Sequence, residues 1–199
     1  AECTPEYLVQ FAYLGNFYAQ RVLGVAKPRV ALLNIGTEDS KGGALQKEAY
    51  ALLKKAGDAG YLNFIGNVEA RDVPLGGADV VVADGFSGNI LLKGIEGTAL
   101  FMASMMKNMF KKNVLTKLAA LLCMDGVKAF KKKMDYRETG GTALIGLSKP
   151  VIKAHGSSDA LAIRNAIRQA IGAVEADVAA TLAANMDHMV IPKENQYAE

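Results

Sequence analysis

The chain is poor in cysteine. Its two, Cys3 and Cys123, stand 120 positions apart, which suits neither a disulfide framework nor a cysteine-based metal site and is most simply expected of a reducing cytoplasm. No stretch of 18 apolar residues is present, so no membrane-spanning helix is expected. There is no phosphate-loop Gly-x-x-x-x-Gly-Lys-Ser/Thr, no Gly-x-Gly-x-x-Gly fingerprint and no Gly-x-Ser-x-Gly elbow, and neither cysteine has a histidine near it in sequence. Covalent nucleophilic catalysis is therefore unsupported. The two histidines, His155 and His188, lack metal-site spacing, and no Asp/Glu/His cluster accompanies them, so neither a metal nor a cofactor is expected. His188 reads as a surface residue. The chain begins Ala1-Glu2-Cys3-Thr4-Pro5 with no initiator methionine and no signal-peptide core. It opens on a helix start, Thr4 capping and Pro5 leading, which is expected of a piece cut from a longer protein.

What remains is a chain of 199 residues, 51% apolar and 22% charged, with a formal net charge of +3. That is ample for a packed α/β domain and excludes a disordered tail. The charge is unevenly spread. Between Lys107 and Lys133 lie eight lysines and one acid, Asp125, a net +7 that leaves −4 on the rest.

Apolar spacing predicts a helix from Pro5 to about Gly24, a strand over 29–34, and a helix over 44–56 stopped at Gly57. Strands are expected over 61–65 and 79–83, and a long helix over 90–111. Two further short strands fit 142–147 and 151–154. A long alanine-rich helix over 160–185 follows, then a polar tail over 191–199. Short all-apolar strands alternating with helices predict an α/β fold with a mostly parallel sheet covered on both faces.

In such sheets ligands bind beyond the carboxyl ends of the strands. Three polar loops fit that position, 36–43, 84–89 and 155–159, each leading into a helix whose N–H groups could hold an oxyanion. Thr37, Gly85, Ser87, Gly88 and Ser157 are the candidate phosphate- or substrate-binding residues of these loops. Lys41 and His155 can pair with an anion, and Asn89 adds a neutral donor for a carbonyl or phosphoryl oxygen. The same residues are also ordinary helix caps and βα turns.

The basic region is rich in methionine, with Met102, Met105, Met106, Met109 and Met124. Leu115, Leu118 and Leu122 form an apolar stripe with Lys128, Lys131 and Lys132 nearby. Such a surface suits an anionic membrane, a subunit interface or an acidic partner protein, or it packs as a plain hairpin with solvated lysines. Nucleic acid is disfavoured, because the patch has no arginine and no aromatic residue between Val114 and Val127.

Five segments carry a wider resemblance: Asn34-Ile-Gly-Thr-Glu-Asp-Ser-Lys-Gly42, Asn63-Phe-Ile-Gly-Asn-Val-Glu-Ala-Arg-Asp72, Ala78-Asp-Val-Val-Val-Ala-Asp-Gly-Phe-Ser-Gly-Asn89, Asp135-Tyr-Arg-Glu-Thr-Gly-Gly141 and Val151-Ile-Lys-Ala-His-Gly-Ser-Ser-Asp159. In order and spacing the chain resembles the PlsX-type phosphate acyltransferases of bacterial phospholipid synthesis. The resemblance implies reversible transfer of a fatty acyl group from acyl-acyl carrier protein to inorganic phosphate. It implies a three-layer α/β/α fold like that of isocitrate dehydrogenase and phosphotransacetylase, forming a homodimer. It also implies peripheral residence at the cytoplasmic membrane, where acyl phosphate passes to a membrane acyltransferase. Lys41, Asn89 and His155 then match positions lining the family's catalytic cleft. The segment over about 113–134 matches a helical hairpin inserted in one α/β domain, 1–199, and associated with membrane contact. Family members begin with a further segment opening Asp-Ala-Met-Gly-Gly-Asp, so this chain corresponds to roughly their last three fifths. The alternatives are an acyl-coenzyme A-dependent enzyme of phosphotransacetylase type, or an inactive fragment that only dimerises or binds membrane.

Overall fold

The structure, a computed structural model, describes residues 3–133, 135–185 and 187. In chain order its elements are α1 (Pro5–Arg21), β1 (Val30–Asn34), α2 (Ala44–Asp58), β2 (Phe64–Glu69), a 3-10 turn (Val73–Leu75), β3 (Val80–Val82), α3 (Gly85–Lys111), α4 (Val114–Leu122), α5 (Met124–Lys133), α6 (Tyr136–Thr139), β4 (Thr142–Ala143), β5 (Ile152–Lys153), α7 (Ala160–Glu175) and α8 (Val178–Ala184). The chain is thus mixed α/β and mostly helical, with a small parallel sheet flanked by helices.

It divides into two compact units. The first holds the described residues of Ala1–Asn89, Leu144–Val151 and Gly172–Glu199. Its sheet runs β2-β1-β3, all parallel, with Val30 beside Phe64 on one side and Val80 on the other. The central strand is apolar because helices and neighbouring strands enclose it: Val30, Ala31 and Leu32 are buried. They pack with Leu8, Val9, Ala12 and Tyr13 of α1, Ala49 and Leu53 of α2, and Val178 and Leu182 of α8. Helix α1 starts as expected, Thr4 Oγ accepting from the Tyr7 N–H at 3.4 Å. Arg29, just before β1, locks onto Asp79, just before β3, through three bonds of 2.8–3.0 Å. These bonds hold the Asp79 carboxyl below its ordinary value.

The second unit comprises Ile90–Ala143 and Ile152–Ile171. Strands β4 and β5 form an antiparallel pair here. Segment Asp135–Gly141 lies tightly on α7. Asn165 and Gln169 donate to the carbonyls of Arg137 and Thr139, each at 2.8 Å. Gly140, at φ +92°, sits where a Cβ would lie 2.7 Å from the Ala162 carbonyl oxygen.

Several expectations shift. Helix α2 runs through Gly57 to Asp58, and β2 starts at Phe64 rather than Tyr61, because Gly60 takes a left-handed turn (φ +81°) before the strand finds its partner. Residues 85–89 are not a loop but the first turns of α3. The strands expected over 142–147 and 151–154 shrink to two residues each, and they pair with each other antiparallel, since so short a connection cannot make a parallel crossover. The long helix over 160–185 breaks at Asp177, whose φ of 48° and ψ of 44° are left-handed, leaving α7 and α8. His188 and the expected tail over 191–199 lie outside the described residues.

Candidate active site

Because β1 and β3 are adjacent and parallel, the segments leaving their carboxyl ends lie side by side. The loop after β1 carries Thr37 and Lys41, both exposed. Lys41 Nζ stands 3.8 Å from a carboxylate oxygen of Glu38. The loop is short and internally bonded, with the Lys41 N–H donating to the Glu38 carbonyl at 3.2 Å. It delivers the chain to α2, whose cap position is Gly43, so no side chain caps the first N–H groups of that helix. A cation next to an uncapped helix start is a setting for an oxyanion.

The segment after β3 is different. Asp84 accepts from the Phe86 and Ser87 N–H groups at 2.9 and 2.8 Å. Burial pushes its carboxyl up, but the bonds from the Ser87 hydroxyl and from the Ser87 and Phe86 amides outweigh that and hold it below the ordinary value. The donors at the start of α3 are thus already taken by a carboxylate. Gly85, Ser87 and Gly88 line this capped turn, and Asn89, exposed, follows on its outer side.

His155 and Ser157 belong to the second unit, in the loop between β5 and α7. That loop does not leave the parallel sheet, contrary to the sequence expectation. The Ser157 N–H lies 3.2 Å from His155 Nδ1 and the Ser157 hydroxyl 2.7 Å from it. A backbone N–H can only donate, so Nδ1 is the accepting nitrogen and the neutral ring carries its proton on Nε2. Ser157 therefore orients the imidazole. Asp159 closes the loop: one oxygen accepts from the Ala162 N–H and the other from Arg137, each at 3.0 Å, and these bonds, the Ala162 amide first, hold its carboxyl below the ordinary value. Arg137 is also bound by Asp135 at 2.6–3.1 Å, and those bonds raise the guanidinium above its already high value.

In the second unit Leu115, Leu118 and Leu122 are exposed on α4, Leu122 at 89%. On α5, Lys128 pairs loosely with Asp125 at 3.8 Å, and Lys132 is exposed. The Lys131 side chain lies outside the described residues. No helix among the described residues is long and apolar enough to cross a membrane. Among those residues no group of three or more His, Cys, Asp or Glu side chains could hold a metal ion. A cavity of about 540 Å³ lined by Asn16, Lys27, Lys54, Tyr61 and Asn63 opens in the first unit. It lies at the amino ends of the strands, since Lys27 and Asn63 precede β1 and β2, and none of the expected site residues lines it.

Sequence reasoning gave no role to Asn34, Asn67, Arg137, Asn165 or Gln169. Asn34 carried a signal, a polar residue closing an otherwise apolar strand, whereas Asn67 lies beyond the strand expected over 61–65. The others act through partners 22 or more positions away, which no local pattern marks.

A small parallel sheet flanked by helices makes this a mixed α/β protein. The family described as "Fatty acid synthesis protein" matches residues 1–181, and the chain belongs to that family. Proteins called phosphate acyltransferase are similar along most of this chain. That of Thermoanaerobacterium thermosaccharolyticum is 53% identical over 177 residues, 89% of this chain and 52% of its own length. That of Lysinibacillus sphaericus is 53% identical over 191 residues, 96% and 57% respectively, and that of Geobacillus thermodenitrificans 53% over 186, 94% and 56%. The resemblance to the PlsX-type family is therefore shown, and the chain spans about half the length of the curated relatives it matches.

Proposed function

We propose that this chain forms the part of a phosphate acyltransferase that binds phosphate and moves a fatty acyl group onto it from acyl-acyl carrier protein. The observation that carries the reading is the 53% identity to phosphate acyltransferases over 96% of the chain. The pairing of Lys41 with an uncapped α2 start supports it chemically.

In the reaction so read, phosphate rests against the α2 N–H groups and Lys41, with Thr37 beside it. One phosphate oxygen attacks the thioester carbonyl carbon. As the C–O bond forms, the carbonyl oxygen becomes an oxyanion, which Asn89 stabilises. Collapse breaks the C–S bond and releases the carrier's thiolate. The family resemblance adds His155, whose Nε2 proton suits it to proton donation. Gly85, Ser87 and Gly88 shape the turn that presents Asn89, and Ser157 sets the His155 ring. Catalysis then rests on positioning and charge.

The finer architecture belongs to the same proposal: one domain over 1–199 with a helical insertion over about 113–134, in a three-layer α/β/α homodimer like that of isocitrate dehydrogenase and phosphotransacetylase. The exposed apolar rows of α3 and α7 (Leu100, Met105 and Met109; Ile163, Ile167 and Ile171) support a subunit partner. Leu115, Leu118 and Leu122, with Lys128, Lys131 and Lys132, would meet an anionic membrane surface or the acidic carrier protein. In the same reading the protein works peripherally at the cytoplasmic membrane, beside a membrane acyltransferase.

The test is phosphate-dependent release of free carrier protein by the full-length protein containing this chain. Release that does not depend on phosphate refutes the reading, and faster turnover of acyl-coenzyme A than of the carrier thioester moves it to the phosphotransacetylase type.

A further inference from the structure

The loop that carries Lys41 is tied down from below by two buried asparagines. Asn34, the last residue of β1, and Asn67, on neighbouring β2, are each only 8% exposed. The register places Asn67 beside Leu32 and Asn34 beside Glu69, so the two asparagines lie on adjacent strands, two residues out of step. Asn34 Nδ2 donates to the Lys41 carbonyl at 3.1 Å, while its Oδ1 accepts from the Ile35 N–H at 2.8 Å. One side chain thereby fixes both the first residue of the loop and the residue that carries the amine. Asn67 Nδ2 donates to the Glu38 carbonyl at 2.7 Å. Glu38 is the acid that faces Lys41. Gly42, at φ +88°, closes the ring, because a Cβ there would lie 2.7 Å from Asn34 Oδ1.

Asn67 Oδ1 is buried and has no partner among the described residues. Burial of an acceptor with no protein partner among the described residues is a cost that an apolar group of the same size would not carry. We propose that Asn34 and Asn67 are positioning residues, which hold the 35–42 loop in the shape that presents Lys41 and the α2 start to phosphate together. This rests on the reading of Lys41 as a phosphate-binding group. Asn67 sets the position of Glu38 and Asn34 that of Lys41, so the pair also sets how closely the acid approaches the amine.

The test uses the full-length protein with Asn67→Leu, Asn34→Asp and Lys41→Ala. Asn67→Leu removes the tether together with the buried acceptor. Asn34→Asp keeps the bond from Ile35 and loses the donor to Lys41. Each is expected to speed amide exchange across 35–42 and to raise the KM for inorganic phosphate about tenfold with kcat within about twofold. The melting temperature of Asn67→Leu should stay level or rise. Unchanged exchange across 35–42 in both variants overturns the clamp. Faster exchange with an unchanged phosphate KM, while Lys41→Ala raises that KM, overturns the positioning role. If Lys41→Ala leaves the phosphate KM unchanged, the reading beneath falls, and the positioning role with it; the exchange data alone then report the clamp.

Discussion

Gly140→Ala tests how the Asp135–Gly141 motif is held. At φ +92° an alanine is in left-handed backbone, which costs about 1–2 kcal/mol. The new methyl would also stand 2.6 Å from the Asn165 carbonyl carbon and 2.7 Å from the Ala162 carbonyl oxygen. Both are backbone atoms of α7 or its start and cannot turn aside, so the motif must retreat by about 1 Å to reach ordinary contact distance. Retreat stretches the 2.8 Å bonds from Asn165 and Gln169 to the Arg137 and Thr139 carbonyls. Asn165 is 2% exposed, so its loosened amide finds no water, and an unmet buried donor costs about 1–3 kcal/mol. Against this, alanine makes the unfolded chain stiffer and returns about 0.4–1 kcal/mol. The net expectation is a loss of about 1–5 kcal/mol, centred near 3 and a large share of a typical domain's stability. Urea unfolding followed by circular dichroism, with amide exchange along α7 to localise the effect, measures it. A loss below about 1 kcal/mol with α7 protection unchanged refutes the close-approach argument.

Glu38→Gln removes the acid that faces Lys41 at 3.8 Å. Exposed pairs of this kind contribute about 0–1 kcal/mol, so the KM for phosphate should fall by up to about fivefold, and a rise would show that Glu38 aids binding. Asp84→Ala removes the α3 cap at a cost of about 1 kcal/mol near neutral pH. The Asp84 carboxyl is depressed in the folded state, so its contribution is complete above the ordinary value of 3.8 and fades as pH falls through the lower folded value. The stability gap between native protein and Asp84→Ala, read from thermal melts down the acid limb, should therefore close there, and a gap that widens on acidification contradicts the assignment.

Local chemistry made α1, β1 and β3 legible. Thr4, Pro5 and Glu6 spell a helix start, and Val30 to Leu33 can only be an enclosed strand. The start of β2 was not legible, because Tyr61, Leu62 and Asn63 look no less strand-like than Phe64 and Ile65. What separates them is the pairing of Phe64 with Val30, a partner 34 positions away. Gly85 and Gly88 suggested a polar loop over 84–89, although Asp84 carries the capping signal that starts a helix there. The site divides in the same way. Lys41 stood out by its loop, whereas the amides that anchor that loop sit inside strands and announce themselves only as polar interruptions. The hold of Arg137 on Asp159, and so on the His155 loop, joins two motifs that sequence order keeps apart.

The two helix starts at the carboxyl edge of the sheet are chemically unlike, and under the proposed function that difference would assign the reactants. At α3 a carboxylate occupies the N–H groups of Phe86 and Ser87, which would repel phosphate and leaves that side to the neutral thioester and Asn89. At α2 the cap is Gly43, and its N–H is satisfied by Gln46 Oε1 at 3.2 Å without placing charge there. Neighbouring strands are about 4.8 Å apart, so a phosphate on the β1 side and a carbonyl on the β3 side would be near neighbours. Gly43→Asp should turn α2 into a second α3. Its backbone, φ −80° and ψ −173°, accepts any residue, and a Cβ there meets only Gln46 Oε1 at 3.3 Å. As a capping residue aspartate should match or raise stability by a few tenths of a kcal/mol. Its charge, about 6 Å from a phosphate dianion in water, repels it by about 1.4 kcal/mol, or about tenfold in phosphate KM. Gly43→Asn caps equally well and occupies the same N–H groups without the charge, so its phosphate KM should rise less than that of the aspartate variant. The gap between the two variants reports the charge, and a native KM in both would place phosphate away from α2.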